Sequence, residues 1–330
     1  MTNLLLKGTT TKSAEQINDE TNELGADLFV NNSLEKTSIN LVALKDNFKM
    51  SANLVGDIII NANFPTSEFD RLKNEQIIGI DQENANPTLL ASRILPQLIY
   101  DKNNPNSLPS SGSGYEETVE AISREDILQH FQKNLGYKNA TIFVVGDITE
   151  SELKPILENS LANWKAGEKS NKSTIAQQEA KPSKIYFIDM PGASQSVIRA
   201  AQLFAPEKDL IKDEAKDMMN TLLGGSFLSR LNMNLREDKH WSYGAGSRFI
   251  NTKQQSQYIV YTSVQTDKTK ESLIEILKEL TTINTKNLIS KTEFTQQQSA
   301  TLMELPGEFE LNADLSSNLE DVIFYNKGLD

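Results

Sequence analysis

The sequence has 330 residues, of which 38% are hydrophobic and 24% are charged, so it is long enough for two globular domains. It contains no cysteine, which excludes disulfides, thiolate catalysis and zinc–thiolate sites. Its formal net charge of −12 repels phosphate and anionic lipid, so nucleic acid and membrane surfaces are disfavoured as partners.

Signals for membrane insertion or export are absent from the sequence. No apolar stretch reaches the roughly 20 residues of a membrane span, and residues 1–8 lack the charged start and cleavage site of a signal peptide. A chain without cysteine fits the cytoplasm or a periplasm-like space. We expect a periplasmic or otherwise exported protein whose signal was removed or precedes residue 1, with a cytoplasmic location as the alternative.

The first half of the chain is predicted to contain several helices, one strand pair and one further strand. Ser13 and Gln16 have the spacing of a capping box, and Gly25 is a suitable helix end. Pro87 fits the first turn of a helix, where its missing N–H costs little. In chain order we expect a helix over 13–25, antiparallel strands over 26–32 and 36–44, helices from 46, 67 and 87, a polar loop over 102–114, a helix over 124–135, a buried strand over 140–148 and a helix over 149–164.

The second half follows this order of elements loosely, which indicates a duplicated αβ unit. Residues 166–182 are polar and lack apolar periodicity, so they are the predicted linker. We expect an α+β fold with homologous αβ subdomains over 1–165 and 183–330, each a mostly antiparallel sheet with helices packed on one face. In the second subdomain we expect strands over 184–190 and 195–205, a helix over 211–223, a helix ending near 237, strands over 243–250 and 257–265, and helices over 270–287 and 291–304.

Several common catalytic arrangements are missing from the sequence. The two histidines, His130 and His240, form no His-x-x-x-His or His-x-x-Glu-His pair, so we assign no residue of this chain to a metal. There is no Gly-x-Ser-x-Gly elbow, and Gly112 and Gly114 lie in a loop without the Lys or strand of a phosphate site. The Asp and Glu residues show no spacing that singles out an acid–base pair.

A glycine-rich turn is the first candidate binding feature. Gly224, Gly225 and Ser226 precede a predicted helix, where glycines allow a close backbone approach or a positive φ. The free N–H groups at the start of that helix can bind a carbonyl or an anion. We therefore expect these three residues to bind substrate, with an ordinary tight turn as the alternative.

Arg236 and Tyr243 are the candidate catalytic residues. A packed stripe of Leu228, Leu231 and Leu235 is predicted to point Arg236 away from the core at the end of the helix. Tyr243 falls where the chain turns into a strand. A permanent cation and a phenol suit the stabilisation of a developing oxyanion. Ordinary surface and strand roles are the alternative.

Collinear segments along nearly the whole chain resemble the insulinase (pitrilysin-type) zinc metallopeptidases. Those segments are 4–26, 44–76, 137–149 and 222–247, the last of which reads LLGGSFLSRLNMNLREDKHWSYGAGS. The resemblance implies two homologous halves, on one chain or on two, that face each other like a clamshell around a chamber. It also implies two αβ subdomains in each half. The family's halves extend beyond both ends of this sequence, so we expect truncation at each end.

The family's metal ligands have no counterpart here. In the catalytic half a His-x-x-Glu-His motif lies just before the segment that resembles LLLKGT, and a further Glu follows downstream. Counting back from Gly8 places Asn3 at the last His and Thr2 at the Glu, and Ile80 stands near the downstream Glu. The resemblance therefore implies the non-catalytic half, with a truncated or degenerate metal-site helix in the first subdomain. It implies no cofactor in this chain and zinc in a partner half.

The non-catalytic halves of such enzymes contribute an Arg and a Tyr seven residues apart, which Arg236 and Tyr243 match in type, spacing and context. The resemblance implies that zinc-activated water in a His-x-x-Glu-His partner attacks an extended peptide, while this chain donates hydrogen bonds to the oxyanion. Such donors are worth about 2.7–4 kcal/mol each. Alone, the chain is expected to hydrolyse nothing. A structural or assembly subunit of the same fold is the alternative, and an independent metalloenzyme is a third hypothesis.

Overall fold

A computed structural model describes residues 2–169, 178, 182–206, 210–253 and 255–325. The α-helices are α1 (Thr2–Leu5), α2 (Ala14–Glu23), α3 (Phe48–Asn61), α4 (Thr66–Ala85), α5 (Pro87–Ile99), α6 (Glu116–Ala121), α7 (Arg124–Asn134), α8 (Glu150–Ser160), α9 (Leu210–Asn220), α10 (Arg230–Asn232), α11 (Thr269–Thr282), α12 (Lys291–Glu304) and α13 (Asn312–Tyr325). The strands are β1 (Asp27–Asn32), β2 (Thr37–Val42), β3 (Gln195–Phe204), β4 (Ser242–Ile250) and β5 (Ser256–Gln265). Shorter 3-10 turns lie at Lys45–Asn47, Pro105–Ser107, Tyr137–Asn139, Thr266–Lys268 and Leu305–Phe309, and π-helical turns lie at Thr221–Gly225 and Met233–Asp238.

Helices and antiparallel strands occur together, which confirms the predicted α+β class. Strand β1 pairs with β2, and a second sheet has the order β3-β5-β4, with every neighbouring pair antiparallel. Within the described residues, none of the helices combines the length and the apolar composition that a membrane crossing requires.

Packing divides the chain into two compact units. The first comprises Met1–Asp81 and Gly112–Ser173, and the second comprises Gln82–Ser111 and Thr174–Asp330. Residues 82–111, which the sequence places in the first subdomain, thus group with the second unit because α5 packs against β3. The predicted linker at 166–182 stays a prediction, since residues 170–177 and 179–181 lie outside the described ranges.

The first unit has its core where helices pack beside the β1–β2 pair. The predicted capping box of α2 is present: Ser13 Oγ accepts the Gln16 N–H at 3.2 Å, and the Gln16 side chain accepts the Ser13 N–H at 2.8 Å. Phe64 meets Phe131 edge to face, with ring centroids 5.2 Å apart. The buried members of this core are Leu4, Leu5, Ile17, Leu54, Ile58, Ala62, Phe64, Phe69 and Phe131.

Two predicted strands are wrong. Residues 140–148 and 184–190 are not part of any described strand, and the side chains of Ile142 and Phe187 are 50% and 85% exposed. An apolar run predicts burial only where a neighbouring strand can take up its N–H and C=O groups. No described strand pairs with either run. The apolar pattern alone was therefore not enough to predict a strand.

One face of the β3-β5-β4 sheet and the helices of the second unit bury a second core. Successive side chains of a strand point to opposite faces, so alternate residues of each strand join this core. Burying one Leu or Ile side chain fully is worth about 1.5–3 kcal/mol. The buried members are Ile198, Leu223, Leu231, Leu235, Ala245, Val260, Val264 and Ile276.

The opposite face of this sheet carries a row of large polar side chains. Arg199 of β3 lies across from Tyr261 of β5, and Tyr261 lies across from Gly246 of β4. Arg248 is two residues further along β4 and therefore shares this face. The two arginines and the tyrosine stand on the side of the sheet that faces away from the second core.

Candidate functional site

The helical segment 230–238 fixes the position of Arg236. Leu231 and Leu235 are 1% and 0% exposed, as predicted, and they anchor the segment in the second core. Leu228 is 76% exposed, so its predicted place in the packed stripe is wrong. The reason is that Ser229 is the N-cap, with extended φ and ψ of −64° and 152°, so Leu228 precedes the helix and helical spacing does not apply to it.

The end of this segment is closed by His240. Its φ of 58° lies in the left-handed region, which stops the helix before β4 begins. Its N–H donates to the Arg236 carbonyl at 3.2 Å, and its Nδ1 lies 3.0 Å from the same oxygen. His240 therefore serves as a helix cap in this chain.

Arg236 is held by contacts that a ligand could displace. Its guanidinium lies 4.7 Å from the centroid of the Phe227 ring, and its Nε lies 3.2 Å from Glu237 Oε1. The Arg236 and Glu237 side chains are 41% and 40% exposed. Ion pairs and cation–π contacts at such exposure are each worth about 1 kcal/mol or less.

A β-bulge at the start of β4 places Tyr243. Ser242 lies across from Val264 and Ala245 lies across from Thr262, so β4 carries one extra residue over this interval. A bulge re-aims the side chains around it and is common beside functional sites. The Tyr243 side chain projects into solvent and is 90% exposed.

Two hydroxyl groups hold this bulge. Ser242 Oγ accepts the Gly244 N–H at 3.0 Å, and Thr262 Oγ1 donates to the Gly244 carbonyl at 2.9 Å. The two hydroxyl oxygens lie 2.8 Å apart. Because these bonds satisfy the backbone groups that the bulge removes from the ladder, the conformation beside Tyr243 is fixed.

Tyr243 borders a cavity of about 250 Å³ in the second unit. Arg236 is not among the residues that line this cavity, so the structure gives the two candidate catalytic groups separate immediate surroundings. The residues that line it are Thr88, Gln195, Arg199, Ser242, Tyr243, Gly244, Tyr261, Thr262 and Ser263.

The glycine-rich turn packs beneath β4. Gly224 is buried, and a Cβ on it would lie 2.2 Å from Ser247 Oγ and 2.6 Å from Ser247 N. Position 224 therefore requires a glycine because the backbone approaches β4 closely. Neither Gly224 nor Gly225 has a positive φ. Ser226 Oγ donates to the Thr221 carbonyl at 3.1 Å. Substrate binding by Gly224, Gly225 and Ser226 stays a prediction, beside a packing role that the contacts explain.

The residues at the positions that correspond to metal ligands in the insulinase-type resemblance are not suited to bind a metal ion. Thr2 Oγ1 donates to Asn32 Oδ1 at 3.2 Å, and Ile80 is an apolar side chain only 1% exposed. His130 Nδ1 lies 3.2 Å from the amide nitrogen of Asn134. Across the described ranges, no three His, Asp or Glu side chains lie close enough together to hold a metal ion.

Sequence reasoning missed the neighbours of Tyr243 across the sheet. Arg199 and Tyr261 line the cavity beside it, and Ser242 and Thr262 hold the bulge. An Arg at an alternating position within the apolar strand 195–205 was a signal that one face of that strand is polar. Which β5 residue lies across from Arg199 depends on the β3–β5 strand register, and this register could not be determined from the sequence.

Family comparisons cover most of the chain. The family described as "Peptidase M16 inactive domain" matches residues 121–301, and "Insulinase (Peptidase family M16)" matches residues 1–109. An uncharacterized zinc protease of Rickettsia felis is 26% identical over 308 residues, which cover 91% of this chain and 71% of that protein.

A second relative and a solved structure are similar to the chain as well. The non-peptidase homolog YmxG of Helicobacter pylori is 25% identical over 243 residues, which cover 70% of this chain and 55% of that protein. The crystal structure of a peptidase M16 inactive domain from Pseudomonas fluorescens has a TM-score of 0.89 at 24% identity, covering 99% of this chain and 78% of that chain. That likeness shows a shared fold.

Proposed function

Since the chain belongs to the insulinase family of peptidases, M16, and matches its inactive domain, we propose that it is the zinc-free half of a metalloendopeptidase. In this role it binds an extended peptide and stabilises the oxyanion that forms while a homologous partner half cuts the peptide. The observation that carries the proposal is the presentation of Tyr243, 90% exposed on a bulge held by hydrogen bonds.

Two groups of this chain would act on the peptide carbonyl. Tyr243 can donate its phenolic O–H, and Arg236 can donate the N–H groups of its planar guanidinium. Hydrogen-bond donors that reach the carbonyl oxygen stabilise it most where its negative charge develops, which is in the transition state. The weak contacts of Arg236 with Phe227 and Glu237 leave it free to turn toward a bound peptide.

The zinc of this proposal belongs to the partner half. The residues at the family's metal positions, Thr2, Asn3 and Ile80, supply no imidazole or carboxylate. A zinc ion held by a His-x-x-Glu-His partner would provide the activated water. The exported location also stays a proposal, and a cytoplasmic one is its alternative.

A structural or assembly subunit of the same fold is the second candidate function. The description of the matching family as an inactive domain and of one relative as a non-peptidase homolog favours it. Under this reading Arg236 and Tyr243 are ordinary surface residues, and the chain binds its partner without contributing to hydrolysis.

Reconstitution with a zinc-bearing homologous half separates the two functions. We expect neither half alone to cleave a quenched fluorescent peptide, and the mixture to cleave it, since each half supplies part of the site. Size-exclusion chromatography of the same mixture checks whether a complex forms. A complex that cleaves no faster than the partner alone would contradict the catalytic role and support the structural one.

A further inference from the structure

A pair of arginines flanks one tyrosine on the outer face of the β3-β5-β4 sheet. The guanidinium carbon of Arg199 lies 5.3 Å from the centroid of the Tyr261 ring, and that of Arg248 lies 5.7 Å from it. The first pair is directly across β3 and β5, and the second is diagonal across β4 and β5. Two cations thus share one small area of a protein whose net charge is −12.

The two cations have no carboxylate partner within the described part of the chain. The charged group that acts on Arg199 is the like charge of Arg248. Arg199 Nη2 donates to Ser92 Oγ at 3.4 Å. Burial lowers the pKa of Arg199, and the neighbouring charge of Arg248 lowers it further. A like-charged pair that is partly desolvated favours the binding of an anion.

A glycine on β4 allows the Tyr261 ring to approach the β4 backbone closely. A Cβ on Gly246 would lie 2.8 Å from both Cζ and the hydroxyl oxygen of Tyr261. The strand order β3-β5-β4 then places Arg199 on one side of Tyr261 and Arg248 on the other. This arrangement depends on the glycine and presents both charges on one face.

The arginine pair adjoins the cavity that Tyr243 borders. Arg199 and Tyr261 line that cavity of about 250 Å³, together with Gln195 and Thr88. A peptide whose carbonyl contacts Tyr243 would thus also pass close to the Arg199 guanidinium. Guanidinium groups match carboxylates with two parallel hydrogen bonds, which gives them both strength and direction.

We propose that Arg199 and Arg248, on either side of Tyr261, form a carboxylate-binding subsite for the peptide. The carboxylate comes from an acidic side chain or from a free C-terminus, which offer the same chemistry. This substrate preference rests on the proposed function for its position beside Tyr243, whereas the binding itself needs no partner half.

Binding of three labelled ten-residue peptides to the 330-residue chain tests the subsite by fluorescence anisotropy. The peptides carry one Glu with an amidated C-terminus, one Gln with an amidated C-terminus, or one Gln with a free C-terminus. We expect at least one carboxylate peptide to bind about tenfold more tightly than the neutral one, in line with a charge-assisted hydrogen bond. The peptide that binds more tightly than the neutral one identifies the source of the carboxylate. A higher salt concentration should reduce the difference in affinity.

Variants decide whether the arginine pair is responsible. Arg199→Gln with Arg248→Gln should abolish the preference, and the exposed Arg248→Gln change alone should weaken it without affecting the fold. Lys154→Gln removes the same charge in the first unit and should keep the preference. An unchanged preference in the double variant, or carboxylate peptides that bind no better than the neutral one, would overturn the subsite.

The subsite and the catalytic role can fail separately. Arg236→Ala removes a proposed catalytic group and should leave the carboxylate preference as it is. A preference that disappears in Arg236→Ala but persists in the Arg199 and Arg248 double variant would move the anion site to Arg236 and contradict the subsite.

Discussion

Arg236→Ala is expected to lower kcat for peptide hydrolysis by the reconstituted pair about 10²–10³-fold, with a small change in KM. Tyr243→Phe, which removes only one hydroxyl, is expected to act in the same range. Removal of one oxyanion donor has this effect in other enzymes, because the bond is stronger in the transition state than in the bound substrate. Initial rates at saturating and limiting peptide concentrations separate kcat from KM.

Two matched control variants test whether losing any surface cation or any tyrosine hydroxyl would lower the rate. Arg71→Ala removes an exposed helical cation of the first unit, and Tyr137→Phe removes a hydroxyl from a side chain that is 54% exposed. Both should leave the rate within about twofold of the original, since surface changes of this kind are nearly neutral. An Arg236→Ala rate equal to that of the Arg71→Ala control would end the catalytic assignment.

Leu235→Ala is expected to destabilise the second unit by about 2–5 kcal/mol, whereas Leu228→Ala should stay within about 0.5 kcal/mol. The two leucines have the same chemistry and lie seven residues apart. Leu235 is 0% exposed and packs in the second core, while Leu228 is 76% exposed. The cost at Leu235 is the lost burial plus the cavity that truncation leaves.

Urea unfolding followed by tryptophan fluorescence can measure this difference. The chain has two tryptophans, and Trp241 packs against the second core. A Trp164→Phe background makes the signal specific to the second unit. Equal losses of unfolding free energy for the two leucine variants would contradict the helix start at Ser229 and the exposure of Leu228.

Local sequence signals predicted the fold where each element is stabilised within its own segment. Ser13 and Gln16 form a capping box by their own spacing, and Pro87 occupies the first turn of α5. The runs 140–148 and 184–190 failed because a strand needs a partner, and apolar character does not provide one. Local signals also could not show that residues 82–111 group with the second unit, since the packing of α5 on β3 joins segments about 100 residues apart.

The candidate site was predictable only in part. The exposure of Arg236 followed from Leu231 and Leu235, whose spacing fixes the outward face of the helix. The bulge beside Tyr243 depends on β4–β5 register, which one residue can shift and which composition does not determine. For the same reason the sequence could not place Arg199 against Tyr261.

The most direct test of oxyanion stabilisation compares two affinities of the assembled pair of halves. One is for an uncleaved peptide, and the other is for the matching phosphinic peptide, whose charged tetrahedral group mimics the transition state. We expect the Arg236→Ala, Tyr243→Phe double variant to bind the phosphinic peptide at least a hundredfold more weakly, with no more than a few-fold change for the plain peptide. An equal change in both affinities, or none in either, would show that these two residues do not bind the charge that develops during hydrolysis.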